Sequence, residues 1–360
     1  MTGELLELSI QDVAFGGNGV ARHDGCVVFV PFTISGEEIV ARVGRRKKKF
    51  AEAALVSVGK ASPHRIPAPC PYFGKCGGCA YQHIDYPHQL EIKSRQVADT
   101  LQRIGHLSSV PMRPIIASPK PFGYRNRIRV HVAEGAIGYY GQGGHRIVEI
   151  EQCPLASPEV NEALGRLRAR NPRDGDYSLG EPGLPSFFTQ TNAEVAHAMV
   201  ELVRSLVKRD QSLLIDAYAG AGFFAKALAD LFPKLIGIEV NAPAVERARA
   251  GASEKEKYLV GDVELRLGEL LTGHDMDKTT LLLDPPAAGI APRVSDAVLA
   301  SQPVEILYVS CNPATLARDL AILCRSYRLE SVTPLDMFPQ TAEIEVVAHL
   351  LRNDGMLGGR

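Results

Sequence analysis

The sequence predicts a multidomain α/β protein, and three observations predict it. Residues 1–58 alternate apolar and polar positions between glycine turns, the pattern of a small β-barrel. Residues 59–185 mix a Pro- and Gly-rich stretch, an amphipathic helix and further strands, which makes an α+β region. In residues 186–360, buried strands alternate with helices, which implies a parallel sheet of the doubly wound, Rossmann-like kind. A chain of 360 residues is long enough for two or three such cores.

Composition narrows the function classes. No apolar run reaches membrane-spanning length, and Met1-Thr2-Gly3-Glu4 does not open a signal peptide. The expectation is a cytoplasmic monomer with no membrane partner. Seven cysteines are an odd number for a disulfide framework, and in a reducing compartment clustered cysteines point to metal or catalysis. Charge is uneven. Residues 1–150 carry 19 Lys+Arg against 12 Asp+Glu, or +7, so the remainder carries −8 of the total −1. A basic first part is expected to meet a polyanion.

In the barrel, Leu6-Glu7-Leu8-Ser9-Ile10, Cys26-Val27-Val28-Phe29-Val30 and Glu38-Ile39-Val40-Ala41-Arg42-Val43 read as strands. Arg45-Arg46-Lys47-Lys48-Lys49-Phe50 sets five cations beside an aromatic, a combination that suits a nucleic-acid backbone. This segment resembles the TRAM domain, an oligonucleotide-binding-type barrel carried by RNA-modifying enzymes.

Next comes Cys70-Pro71-Tyr72-Phe73-Gly74-Lys75-Cys76-Gly77-Gly78-Cys79. Three cysteines this close suit a metal-binding loop, with Cys153 in Gln152-Cys153-Pro154 as the best fourth ligand. Thiolates select zinc or iron–sulfur clusters, and spacing alone leaves both open. Residues 85–106 read as a helix. Tyr124–Val132 reads as a strand carrying Arg125, Arg127 and Arg129 on one face, placed for RNA phosphates.

In the last third, Glu194–Val207 reads as a helix and Ser212–Asp216 as a buried strand. That strand runs into Tyr218-Ala219-Gly220-Ala221-Gly222, where a Gly-x-Gly lets a ligand approach the backbone. Glu239, 23 residues after Asp216 at the tip of the next strand, is placed to bind a ribose. Asp262 and Asp284, the latter in Asp284-Pro285-Pro286, end two further strands of the same cleft. Ile306-Leu307-Tyr308-Val309-Ser310 is another buried strand and delivers Cys311 to the sheet edge where ligands bind. A lone cysteine is more often a small core residue. Four strand-end features in order favour a shared site instead.

These residues together resemble the RNA uracil-5-methyltransferases over nearly the whole chain. The resemblance rests on the barrel, the four cysteines, Phe187-Phe188-Thr189-Gln190-Thr191-Asn192, the glycine loop and Asp284-Pro285-Pro286. It rests most on Ser310-Cys311-Asn312-Pro313-Ala314-Thr315 and on Asp336-Met337-Phe338-Pro339-Gln340-Thr341-Ala342-Glu343-Ile344-Glu345. It implies S-adenosylmethionine contacts at Gln190, Tyr218, Gly220, Gly222, Glu239, Asp262 and Asp284. It implies Cys311 as nucleophile, Glu345 as proton acceptor, and a 4Fe-4S cluster on Cys70, Cys76, Cys79 and Cys153. Branches with both barrel and cluster act commonly on 23S ribosomal RNA, so ribosomal RNA is the expected partner. Transfer RNA is the alternative, as is an RNA-binding or assembly factor with weak catalysis. Two positions depart from the family pattern: Ala287 stands where Arg is usual, and Glu343 where His is usual.

Overall fold

The computed structural model describes residues 3–184 and 190–353. Phe187-Phe188-Thr189 of the motif above and the glycine-rich C-terminal tail lie outside the described residues. The chain divides into two compact units that share it in alternation. The first is Met1–Gln96, Ser118–Ala193 and Met337–Glu343; the second is Val97–Ala117, Glu194–Asp336 and Ile344–Arg360. Among the described residues no helix is long and apolar enough to cross a membrane.

In the first unit, β1 (Leu5–Ser9), β2 (Asp12–Val13), β3 (Asn18–His23), β4 (Cys26–Pro31), β5 (Glu38–Arg46) and β6 (Phe50–Lys60) form one sheet, ordered β1-β5-β6-β4-β3-β2. Leu6 and Leu8 of β1 share a core with Ala21 of β3, Val30 of β4 and Ala53 of β6. The edge strand β1 therefore meets β3, next to the opposite edge, so the sheet curls around its apolar face. The end of β5 and the turn that leads to β6 present exposed Arg45–Lys49, with Lys47 over the Phe50 ring at 4.9 Å. Buried Glu37 fastens the next segment. Its carboxylate accepts from Arg65 Nε at 2.5 Å, Arg65 Nη2 at 2.7 Å and Ile34 N–H at 2.9 Å, contacts that more than offset its burial and lower its pKa.

Helix α1 (Tyr86–Arg103) crosses from the first unit into the second. A second sheet of the first unit follows: β7 (Arg127–Ala133), β8 (Ala136–Tyr140), β9 (Ile147–Glu149) and β10 (Gly175–Gly180), ordered β10-β7-β8-β9 and backed by α2 (Pro158–Ala169). The strand expected from Tyr124 starts only at Arg127. The residues before it pair elsewhere: Arg125 N–H donates to Leu155 O at 2.8 Å and Asn126 N–H to Thr191 O at 3.0 Å. The three arginines consequently do not share one environment. Arg125 lines an internal cavity, while exposed Arg129 pairs with Asp176 at 2.5 Å.

The second unit is built on α3 (Ala193–Leu206), β11 (Leu213–Ala217), α4 (Phe223–Leu228), β12 (Lys234–Glu239), α5 (Ala242–Arg249), β13 (Glu256–Val260), α6 (Val263–Thr272), β14 (Thr279–Leu283), α7 (Pro292–Ser301), β15 (Glu305–Ser310), α8 (Pro313–Leu323), β16 (Tyr327–Leu335) and β17 (Glu345–Arg352). Its seven strands are ordered β13-β12-β11-β14-β15-β17-β16, and β17 alone runs against its neighbours. Every residue of β11, β14 and β15 is buried, as expected for central strands covered on both faces.

Candidate active site

The register of the second unit brings the sequence-predicted residues to one edge of its sheet. Ala217 pairs with Ile238 on one side and Leu283 on the other. One residue beyond that rank stand Tyr218, Glu239 and Asp284. Asp262 follows β13 on the same edge, and Cys311 follows β15. Because β17 is antiparallel, its first residue, Glu345, lies at this edge too. Ser310 pairs with Val346, and extending that register by one residue sets Cys311 opposite Glu345. Residues opposed in this way across antiparallel strands are side-chain neighbours on one face. Cys311 is exposed, whereas Glu345 is buried at 7% exposure.

The loop after β11 is tightly wound. Tyr218, Gly220 and Gly222 all have positive φ, at 69°, 54° and 84°. For tyrosine this conformation costs roughly 1–3 kcal/mol, a strain that surrounding contacts must hold. Gly220 N–H donates to Glu239 Oε2 at 3.0 Å, and Asn241 N–H donates to Glu239 Oε1 at 2.7 Å. Glu239 thus ties the loop to the neighbouring strand while each oxygen keeps a free lone pair for a ligand. Burial, with Glu264 and Asp262 nearby, raises the Tyr218 hydroxyl to about 12, so it stays protonated. Exposed Asp262 caps α6 by accepting from Glu264 N–H at 2.8 Å.

Asp216 and Asp284 carry the strongest electrostatic signal. Asp216 is 1% exposed; one carboxylate oxygen accepts from Ala225 N–H at 3.1 Å. Burial, Asp284 and Glu239 together push its proton affinity well above the usual carboxylate range. Burial alone raises Asp284 to about 7. An edge that holds three carboxylates with little compensating charge suits a cationic ligand.

Sequence reasoning missed the residues that fasten the loop after Asp284. Asn312 Nδ2 and Thr315 Oγ1 donate to Ala287 O at 3.2 and 3.0 Å. Arg318 Nη2 donates to Ala288 O at 2.9 Å, and Asp319 accepts from Ile290 N–H at 2.9 Å. Their spacing along α8 was the available signal, since positions 312, 315 and 319 share one helix face.

The first unit holds the other predicted group. Cys70, Cys76, Cys79 and Cys153 line one cavity of ≈ 60 Å³ together with Arg125 and Tyr139. Gly78 N–H donates to Cys76 Sγ at 3.4 Å and Gln82 Nε2 to Cys79 Sγ at 3.2 Å. Burial pushes the thiols of Cys70 and Cys76 up and that of Cys79 to about 12, with neighbouring cysteines adding to each. Among the described residues no group of three or more His, Cys, Asp or Glu side chains is arranged to hold a metal ion. Gln190 also belongs to this unit, where its carbonyl accepts from Asn126 Nδ2 at 3.0 Å.

Comparison with known proteins agrees with this arrangement. Residues 183–353 match the family described as tRNA (Uracil-5-)-methyltransferase, and residues 1–56 match the TRAM domain. A Bdellovibrio bacteriovorus protein named as an RNA methyltransferase is 34% identical over 97% of this chain and 96% of its own length. One from Gloeobacter violaceus, named likewise, is 31% identical over 98% of each. The crystal structure of Pyrococcus abyssi tRNA (uracil-54, C5)-methyltransferase in complex with S-adenosyl-L-homocysteine superposes with a TM-score of 0.73 at 26% identity, covering 96% of this chain and all of that one. Fold, sheet-edge acids and relatives agree that the chain belongs to the S-adenosylmethionine-dependent RNA (uracil-5-)-methyltransferase family.

Proposed function

We propose that this protein methylates C5 of a uridine in ribosomal RNA through a transient bond from Cys311 to the uracil ring. The reading is supported by the β15–β17 register, whose last pair is Ser310–Val346; extended by one residue, it puts an exposed thiol opposite a buried carboxylate. Uracil C5 is a weak nucleophile. When Cys311 Sγ adds as the thiolate to C6, the electron pair of the C5–C6 bond moves into an enolate. C5 then attacks the methyl carbon of the sulfonium, whose carbon–sulfur bond breaks to release S-adenosylhomocysteine. Glu345 takes the C5 proton, the C5–C6 double bond re-forms, and Sγ leaves.

The donor is assigned to Tyr218, Gly220, Gly222, Glu239, Asp262 and Asp284, whose carboxylates complement a cation carrying both sulfonium and ammonium. Gln190 joins this set by resemblance. RNA is assigned to the first unit. Its support is the exposed cations at Arg45–Lys49 and a cavity of ≈ 560 Å³ lined by Gly17, Phe32, Gly77, Tyr140 and Gly141 among others. Tyr140 is stacked on His131 at 3.9 Å and is 40% exposed, a surface on which a base can stack.

Cys70, Cys76, Cys79 and Cys153 would hold a 4Fe-4S cluster. The four half-buried thiols line one cavity, two of them, Cys76 and Cys79, accept N–H donors as cluster sulfurs do, and the resemblance favours the cluster over a single zinc ion. Methyl transfer moves no net electrons, so the cluster would order the cysteine loop.

The solved relative acts on transfer RNA, which favours a second reading with a tRNA uridine as the target. Mapping 5-methyluridine in ribosomal and transfer RNA from cells with and without the gene separates the two. Loss of the mark from ribosomal RNA supports the first reading, loss from transfer RNA the second, and loss from neither rejects both.

A further inference from the structure

We infer that Arg318 and Asp319 are positioning residues that clamp the Asp284 loop onto the helix following Cys311. The inference rests on the proposed reaction and names two further residues that it needs.

Asp319 is fully buried, and a buried carboxylate persists only where donors replace water. Its Oδ2 accepts from Tyr308 O–H at 2.6 Å and from Ile290 N–H at 2.9 Å, and its Oδ1 accepts from Arg318 Nε at 2.8 Å. Tyr308 stands three residues before Cys311 in β15, and Ile290 stands six residues after Asp284. One carboxylate therefore ties the strand that delivers the thiol to the loop that follows the donor-side acid. Arg318 doubles the tie, because Nη2 donates to Ala288 O at 2.9 Å and to Ile290 O at 3.3 Å.

Asn312 and Thr315 hold the loop at Ala287 O, and the Arg318–Asp319 pair holds its far end at Ala288 and Ile290. Pro285 and Pro286 have no N–H to donate, and residues 284–291 form no helix or strand. Gly289 has φ +77°, and a Cβ there would collide with Asp319 Oδ2 and Arg318 Nη2. The clamp thus needs glycine at this position both for backbone conformation and for space. A clamp of this kind sets the separation between the methyl donor and the ring held by Cys311.

The test uses the full-length protein with unmodified RNA and the variants Asp319→Asn, Arg318→Ala, Arg318→Lys and Gly289→Ala. Misplacing a reacting group by about 1 Å costs roughly 100-fold in rate, so kcat for Asp319→Asn and Gly289→Ala should fall by that order. KM for S-adenosylmethionine should stay within about threefold, because the donor contacts precede the clamp. Arg318→Lys should recover about tenfold of the loss seen in Arg318→Ala, since a lysine still reaches Asp319 but cannot fork to the carbonyls. Amide exchange at Ile290 is the independent readout and should speed up in Asp319→Asn and Gly289→Ala. Unchanged Ile290 exchange in both overturns the inference, as does faster exchange with kcat within twofold of wild type. Should Asp319→Asn not fold, the Arg318 pair on the half-exposed side of the clamp decides by the same kcat split. Should wild type transfer no methyl group to RNA, the proposed reaction fails and Ile290 exchange alone judges the clamp.

Discussion

Cys311 is exposed at the end of β15, whereas Cys70, Cys76, Cys79 and Cys153 are half-buried around a cavity of the first unit. Cys311 follows a fully buried strand and, on the β15–β17 register extended by one residue, stands opposite the Glu345 carboxylate. The other four line one cavity, and burial drives the protons of Cys70, Cys76 and Cys79 on more tightly, to about 12 at Cys79. One side chain thus supports two chemistries. An exposed thiol near a carboxylate suits the reversible addition proposed above. Desolvated thiols become ligands only when a cationic centre repays the cost of ionising them.

The largest expected effect breaks the first half of that comparison. Cys311→Ala should lower methyl transfer by roughly 10⁴-fold or more, with S-adenosylmethionine affinity nearly unchanged. Calorimetric titration of the donor and a radiolabel transfer assay check both parts. Glu345→Gln should slow turnover by about 10²–10⁴-fold, the range for loss of a general base. A covalent RNA–protein species should then accumulate and be visible as a shifted band in a denaturing gel. Normal turnover without such a species removes Glu345 from its role.

The second half breaks at Cys153. Protein purified anaerobically should carry about four irons and matching sulfide per chain, and Cys153→Ser should lose most of both. A colourless wild-type protein carrying zinc contradicts the cluster.

The smallest effect concerns Asp284, raised to about 7 by burial. Below that pH the group is neutral and above it anionic, so affinity for the cationic donor should rise toward pH 7 and level off above it. At pH 5 to 6 the slope should approach about tenfold per pH unit, and Asp284→Asn should flatten it. Stability runs the other way. A carboxyl whose folded pKa is raised contributes stability below its unfolded value near 3.8, and this is lost as pH rises through about 7. A donor-binding profile that is flat in wild type rejects the assignment.

The parallel strands were legible because their signal is local. Leu213–Ala217 and Thr279–Leu283 are short apolar runs, and an acid or glycine loop follows each. What depends on pairing between distant segments was not. The antiparallel β15–β17 pair, which brings Glu345 to the edge that carries Cys311, joins residues that no local period connects. The Arg125–Arg129 alternation read as one strand face, yet the backbone at Arg125 pairs with Ala156 and Asn192. Asp319 is one acid on an apolar helix, and its partners lie 29 and 11 residues away. Convergence of the four cysteines on one cavity likewise needed the fold, because Cys153 stands 74 residues beyond Cys79.

The central claim is the bond between sulfur and pyrimidine, and it can be weighed directly. RNA in which the target carries 5-fluorouridine cannot lose a proton from C5, so the adduct should persist once the methyl group has transferred. Mass spectrometry of the digested complex should find the methylated fluoropyrimidine on the peptide containing Cys311. A trapped nucleotide on any other residue, or rapid methylation of ordinary RNA with no trapped species at all, would contradict the account.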